Sequence, residues 1–289
     1  MSVLTKNATS RFTEANGLKL HYHEAGEGAP LIMTSGNGVG SSTWYPYHRS
    51  LPFLAPHFRC LLLDQPGYGG GDVVIVKGES RSTMYARTIR DFMDSMGIEK
   101  ASLVDMSFGA QTAQVFALTY PERVDRIVMH AAALPGPSLI GIKPDAGFKA
   151  MGRAFDAPSM ETMREMMRTF FSPSSNYSDD ELDLQERLDA WLSRPEQDEA
   201  RRKSDAIWRD LSDEIKNIEA PVLQINGKYD LLAPLEEGLR LFNLIPNGRL
   251  VVLNDCGHWI PFEKPEEFAW LVTAFLKNPL AQVANKGAA

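Results

Sequence analysis

Cysteine is nearly absent from the chain: two residues, Cys60 and Cys256, in 289. They stand far apart and in neither a Cys-x-x-Cys nor a Cys/His ligand spacing, so no disulfide framework and no zinc motif is written into the chain, and a reducing cytoplasm is the expected compartment. Positive charge is also scarce. Lys and Arg number 30 against 37 Asp and Glu, a net charge of -7, which offers no basic surface to a phosphate backbone and disfavours nucleic-acid binding. No stretch approaches the roughly 18 to 20 apolar residues that a membrane span needs, and the start, MSVLTKNATSRFTEANG, lacks the apolar core of a signal peptide. There is no repeat of solenoid or propeller period, and the only compositionally simple segment is the tail AQVANKGAA, where fraying is expected. What remains is ordinary globular material, 44% hydrophobic and 23% charged, enough for one large core. The chain reads as a soluble, unexported protein acting on a small molecule, with no membrane partner.

Short β-rich runs recur along the chain: LKLHYHEAG, PLIMTS, FRCLLLD, ASLVDM, RIVMHAA, PVLQING and RLVVLND. Several are apolar almost throughout rather than alternating, as strands buried on both faces of a mostly parallel sheet must be. Helical patterns fall between them, at Ser82 to Met96, Phe108 to Tyr120, Pro234 to Leu244 and Pro265 to Leu276. This alternation predicts an open, doubly wound α/β sheet. The rhythm breaks between RIVMHAA and PVLQING, where METMREMMRTFF and DDELDLQERLDAWL read as amphipathic helices with no strand between. Their apolar faces need cover, most plausibly over the sheet edge where strand ends converge. The expected organisation is a core domain in two pieces, 1–133 and 219–289, with a helical lid, 134–218, inserted after the sixth strand.

The most informative local signal is LVDMSFGA, an apolar run ending in Ser107, then Gly109 and a helical pattern. A serine on a sharp strand-to-helix turn projects its hydroxyl from the carboxyl edge of the sheet, and the first N–H groups of the following helix face the same space as unpaired donors able to hold an oxyanion. The match to G-x-S-x-G is incomplete, because Asp105 stands where the first glycine belongs, and S-x-G after an apolar run also arises by chance. A hydroxyl needs a base, normally a histidine oriented by a carboxylate. His258, in NDCGHWIPFEKPEEF, and Asp230, in INGKYDLLAP, both follow strand carboxyl ends, so the three side chains would emerge at one sheet edge in the order Ser, Asp, His. Singly, Asp230 could be a helix N-terminal acid and His258 a loop histidine; Asp125 is a rival acid that precedes its strand and would sit at the wrong edge. His21 and His23 share a strand face at metal-ligand spacing, yet without a Cys or acidic cluster nearby they read as surface or packing residues. The loop GNGVGSSTW, with Gly36, Asn37, Gly38 and Gly40, lets backbone approach a substrate closely and is read as the second side of an oxyanion hole; no lysine follows it as in a nucleotide loop.

Together these residues resemble the α/β-hydrolase fold, and more narrowly the meta-cleavage product hydrolases, which cleave a carbon–carbon bond in 2-hydroxy-6-oxo-dienoates from aromatic-ring degradation. The resemblance runs over nearly the whole chain and is carried by SGNGVGSSTW, LLLDQPGYGGGD, SRSTMYARTIRDFMDSMGI, the serine turn, PERVDRIVMHAA, QERLDAWLSRPE and CGHWIPFEKPEEF. It implies a cofactor-free enzyme, a homo-oligomer of two or more chains, a triad of Ser107, Asp230 and His258, and an oxyanion hole of the Phe108 and Gly38 N–H groups beside Asn37. It also implies a lid arginine, Arg187, holding the substrate's carboxylate, with Trp259 and Phe170 walling the pocket. Arg187 lies three residues after Leu184 and four before Trp191, on the stripe those residues direct inward. A guanidinium there needs an anion, whether a bidentate substrate carboxylate or a Glu or Asp of its own helix.

The chain departs from the family where the dienoate head binds. Met106 and Pro46 replace asparagines, Ser35 replaces the histidine that opens the glycine loop, and Asp105 and Ala110 replace glycines of the serine turn. A more apolar head pocket leaves a second expectation open: a carboxylesterase or lactonase using the same triad on a neutral substrate. A ligand receptor built on the fold is the non-catalytic alternative.

Overall fold

The computed structural model describes residues 4–133 and 145–278. Eight strands form one sheet in the order β1-β2-β4-β3-β5-β6-β7-β8: β1 Ser10–Ala15, β2 Leu18–Ala25, β3 Pro30–Thr34, β4 Arg59–Leu63, β5 Ala101–Met106, β6 Val124–His130, β7 Val222–Gly227 and β8 Gly248–Leu253. The first two strands pair antiparallel with their neighbours, and every pairing from β4 to β8 is parallel. The mostly parallel, doubly wound sheet is the architecture expected. Period-two alternation sends Met33, Val104 and Val128 into one core, and Ile32, Leu103 and Ile127 into the other. The helices Arg81–Ser95 and Phe108–Thr119 fill the second core through Phe92 and Phe116, while Pro265–Lys277 fills the first through Phe268 and Val272.

Strand β1 was hidden in a polar stretch. It is an edge strand, with Phe12 half exposed, so it lacks the apolar runs of the interior strands. The turn Asn16-Gly17, both at positive φ (49° and 76°), closes the β1–β2 hairpin; Asn-Gly supplies the left-handed pair that such a two-residue turn demands.

Among the described residues, four α-helices lie between β6 and β7, Ala146–Asp156, Met160–Arg168, Leu184–Leu192 and Pro195–Lys203, followed by a short 3-10 turn at Ile215–Asn217. This is the helical insertion expected after the sixth strand; residues 134–144 of the expected lid and the tail AQVANKGAA fall outside the described residues. A capping box between Ser159 and Thr162 starts the second helix, whose Met163, Met166 and Met167 are buried. The third begins only at Leu184, after Asp183 in the left-handed region (φ 51°), and Pro195 opens the fourth. Among the described residues no helix is long and apolar enough to cross a membrane.

Candidate active site

Ser107 occupies the turn between β5 and the helix Phe108–Thr119, at φ 56° and ψ -117°. Backbone in this region costs a non-glycine residue roughly 1–3 kcal/mol and persists because its surroundings fix it. The Ser107 N–H donates to the His130 carbonyl at 3.1 Å. Gly109 is forced by crowding: a Cβ there would strike Thr34 Oγ1. Across the turn, a Cβ on Gly36 would lie 2.9 Å from the Ser107 Cβ and 3.1 Å from its Oγ. Thr34 and Asp105 are register partners, so the glycine loop leaves β3 beside the serine turn. Asp105 is fully buried and accepts from Thr34 Oγ1; its other oxygen has no hydrogen-bond partner. Burial drives its carboxyl well above the usual carboxylate range.

Asp230 and His258 leave the ends of β7 and β8. The loops run in contact, since a Cβ at Gly227 would collide with the Gly257 carbonyl. Asp230 Oδ1 accepts from the N–H groups of Leu232 and Ala233, both at 2.8 Å, which aims the carboxylate at His258. The His258 Nδ1 lies 2.8 Å from Asp230 Oδ2 and 2.9 Å from Oδ1, with both side chains buried. A carboxylate only accepts, so Nδ1 carries the proton and Nε2 is left as the acceptor. The His258 N–H donates to the lid carbonyl of Phe170 at 2.6 Å, and the two rings meet edge to face. Ser107 and His258 are not hydrogen-bonded to each other; they share the wall of one cavity.

That cavity, about 810 Å3 in volume, lies between the strand ends and the lid. Its wall includes Ser107, His258, Asn37, Gly38, Phe108, Arg187, Trp259, Phe170 and Met106. Of the catalytic, oxyanion and substrate residues expected from the sequence, only Asp230 is absent from the wall, standing behind His258. Arg187 is 1% exposed and has no carboxylate partner among the described residues, so the alternative ion pair on its own helix is not formed. Its Nη1 contacts Met167 Sδ at 3.3 Å, its Nε has no partner, and its guanidinium lies 5.0 Å from the Trp259 ring and 5.3 Å from that of Tyr45. Burial lowers its pKa to about 10. The Trp259 indole N–H is likewise unpaired.

His21 and His23 are both buried, so the packing half of their expectation describes them and the surface half does not. His21 Nδ1 meets Asp64 at 2.6 Å and His23 Nδ1 meets Thr9 Oγ1 at 3.0 Å. Among the described residues no group of three or more His, Cys, Asp or Glu side chains could hold a metal ion. Asp125 is exposed, near the start of β6, away from the strand ends that carry the site.

Sequence reading missed Glu263. Its carboxylate accepts from the N–H groups of Gly257 (2.6 Å) and Ser172 (2.8 Å) and from Ser175 Oγ (2.8 Å), joining the His258 loop to the lid. The only sequence signal was its place in CGHWIPFEKPEEF, where it reads as one more surface acid. Gln111 and Tyr45, which also border the cavity, gave no signal beyond helical pattern and an aromatic cluster.

The family profile described as "alpha/beta hydrolase fold" matches residues 29–265. The 2-hydroxy-6-oxo-6-phenylhexa-2,4-dienoate hydrolase of Comamonas testosteroni is 36% identical over 289 residues, spanning 96% of this chain and 100% of that protein. The 2-hydroxy-6-oxononadienedioate/2-hydroxy-6-oxononatrienedioate hydrolase of Cupriavidus pinatubonensis is 34% identical, over 96% and 99%. Among solved structures, a mutant meta-cleavage product hydrolase of Pseudomonas fluorescens IP01, complexed with acetates, superposes with a TM-score of 0.78 at 29% identity, covering 92% of this chain and 96% of that one. With its fold, its lid and this similarity over nearly the full length, the chain belongs to the α/β-hydrolase family and is closely related to the meta-cleavage product hydrolases.

Proposed function

We propose that the protein hydrolyses a carbon–carbon bond in 2-hydroxy-6-oxo-hexa-2,4-dienoate-type compounds, with Ser107, His258 and Asp230 as its triad. The observation that carries this reading is Arg187, a buried guanidinium without a carboxylate of its own in the wall of the cavity that also holds Ser107 and His258. A buried charge this poorly compensated is costly unless an anion joins it, and a bidentate substrate carboxylate does so. The unpaired Trp259 N–H beside it adds a donor.

With the carboxylate on Arg187, ketonisation moves the 2-hydroxyl proton to C5. The C6 carbonyl is then attacked by Ser107 Oγ, or by a water, with the proton passing to His258 Nε2 and Asp230 stabilising the imidazolium. The Phe108 and Gly38 N–H groups, with Asn37 alongside, hold the oxyanion. Collapse breaks the C5–C6 bond; its electron pair is delocalised through the C3–C4 double bond onto the C2 ketone, and His258 returns its proton to that fragment. On the serine route, water releases the acyl group in a second round. None of these steps calls on a cofactor.

A second reading, a carboxylesterase or lactonase on a neutral substrate, rests on Met106 and Pro46, both buried in or beside the cavity wall where a polar head contact is expected. Assaying a coloured 2-hydroxy-6-oxo-dienoate and a short-chain aryl ester on one preparation separates the two. Loss of dienolate colour without comparable ester cleavage is expected; ester cleavage alone contradicts the carbon–carbon reading. Arg187→Gln is expected to lower kcat/KM for the dienoate at least about 10²-fold, on the scale of losing a charge-assisted pair, and to change the neutral ester little. Equal losses on both substrates would contradict the clamp. A cytoplasmic location, with two buried free thiols, and an oligomer of two or more chains complete the proposal.

A further inference from the structure

The cavity contains a second charged region that the Arg187 clamp does not use. Arg187 lies against Tyr45 and Trp259, whereas Arg81 is grouped with Tyr68 and Arg201, and all three of these border the cavity. The charge there is unevenly matched. Asp198 binds the Arg201 Nε at 2.9 Å and Nη2 at 2.8 Å. Arg81 makes one hydrogen bond among the described residues, from Nη2 to the Arg201 backbone carbonyl at 2.9 Å, and a guanidinium has five N–H donors to place. The carboxylates bordering the cavity are already engaged: Asp205 with Lys77 at 2.8 Å, Asp145 with Lys149 at 2.6 Å, and Glu237 with a partner of its own.

Gln111 is an independent observation. It lies four residues after Ser107, in the first turn of the helix Phe108–Thr119 that Ser107 precedes. It is 4% exposed, borders the cavity, and its Nε2 has no hydrogen-bond partner. Buried amide donors are almost always satisfied, and an acceptor on a ligand in this cavity would satisfy this one.

We propose that Gln111, Arg81 and Tyr68 form a subsite for an anionic, oxygen-bearing group on the substrate's departing acyl arm, so that the preferred substrate is a dienoate diacid. The inference rests on the function proposed above and adds to it the class of side group. Phe148, Phe155 and Trp208, which border the same cavity, would cover the hydrocarbon stem of the arm. A purely apolar arm would displace water from Gln111 and Arg81 and return no acceptor, the situation in which a polar site discriminates most strongly.

The test compares kcat/KM for 2-hydroxy-6-oxononadienedioate, for its ester methylated at the arm carboxylate, and for 2-hydroxy-6-oxo-6-phenylhexa-2,4-dienoate, with wild-type enzyme and with Gln111→Leu. The wild type is expected to favour the diacid over both other compounds at least about tenfold, the worth of one good charge-assisted contact. Gln111→Leu is expected to shrink that preference severalfold while leaving turnover of the phenyl compound intact or improved. Because Arg81 also ties its helix to the lid, the methyl ester tests the arm charge without altering the protein. A wild type that turns over the phenyl compound as well as the diacid, or a preference unchanged in Gln111→Leu, overturns the subsite and leaves the proposed reaction standing. Turnover of none of the three overturns both.

Discussion

Ser107 holds a strained backbone, and the residues around it explain why. Gly36 and Gly109 supply clearance, and the Ser107 N–H is anchored on His130. Part of this was legible: S-x-G after an apolar run marked the turn, and the order of the strands put His258 and Asp230 at the same sheet edge. What Asp105 does was not legible, because a glycine-to-aspartate departure in a motif says nothing of where the side chain goes. It goes inward, fully buried, bonded to Thr34 and otherwise unpartnered. Its pKa is raised by burial, so the native protein holds this proton more tightly than the unfolded chain, where the value is about 3.9. The stability contributed is therefore full below that value and is lost as pH rises through the raised native one. Asp105→Asn keeps an acceptor for Thr34 and carries no charge. Its Tm relative to wild type should rise between pH 5 and pH 9, by a few degrees at the upper end; a Tm difference that does not change with pH would contradict a raised Asp105 pKa.

At the scale of elements, interior strands were readable because both faces are buried and their sequences are apolar throughout, while β1 escaped because an exposed edge strand need not be. Helix ends were readable to within a residue or two where Pro265 or Gly97 marks them, and less so at Leu184, where Asp183 delays the start. Contacts between the lid and the core were not readable, because they join residues about 90 positions apart. Glu263 gathers Gly257, Ser172 and Ser175, and Asp255 takes the hydroxyls of Ser172 and Ser174. Burial raises the Glu263 pKa, so acidification neutralises it sooner than an ordinary glutamate. Glu263→Gln puts an amide N–H where only acceptors fit. We expect faster hydrogen exchange at residues 170–175 and a kcat at least about fivefold lower, since small displacements of positioned groups cost rate steeply, with KM changing less. Unchanged exchange and unchanged kcat would show that the lid and the His258 loop are held independently.

Across the whole molecule, the ends of the parallel strands and a helical insertion enclose one cavity, and the chemistry proposed depends on that convergence. Sequence order alone carried much of it, because a doubly wound sheet brings every strand's carboxyl end to one edge. The identity of the cavity's second charged region was beyond sequence, since Arg81, Tyr68 and Gln111 come from separate elements with no shared motif. The most direct measurement is single-turnover absorbance of a 2-hydroxy-6-oxo-dienoate with wild type, Ser107→Ala and His258→Ala, each shown by circular dichroism to be folded. The account predicts decay of the dienolate with wild type and a loss of at least about 10²-fold in cleavage with either variant. Cleavage by both variants at the wild-type rate would contradict it.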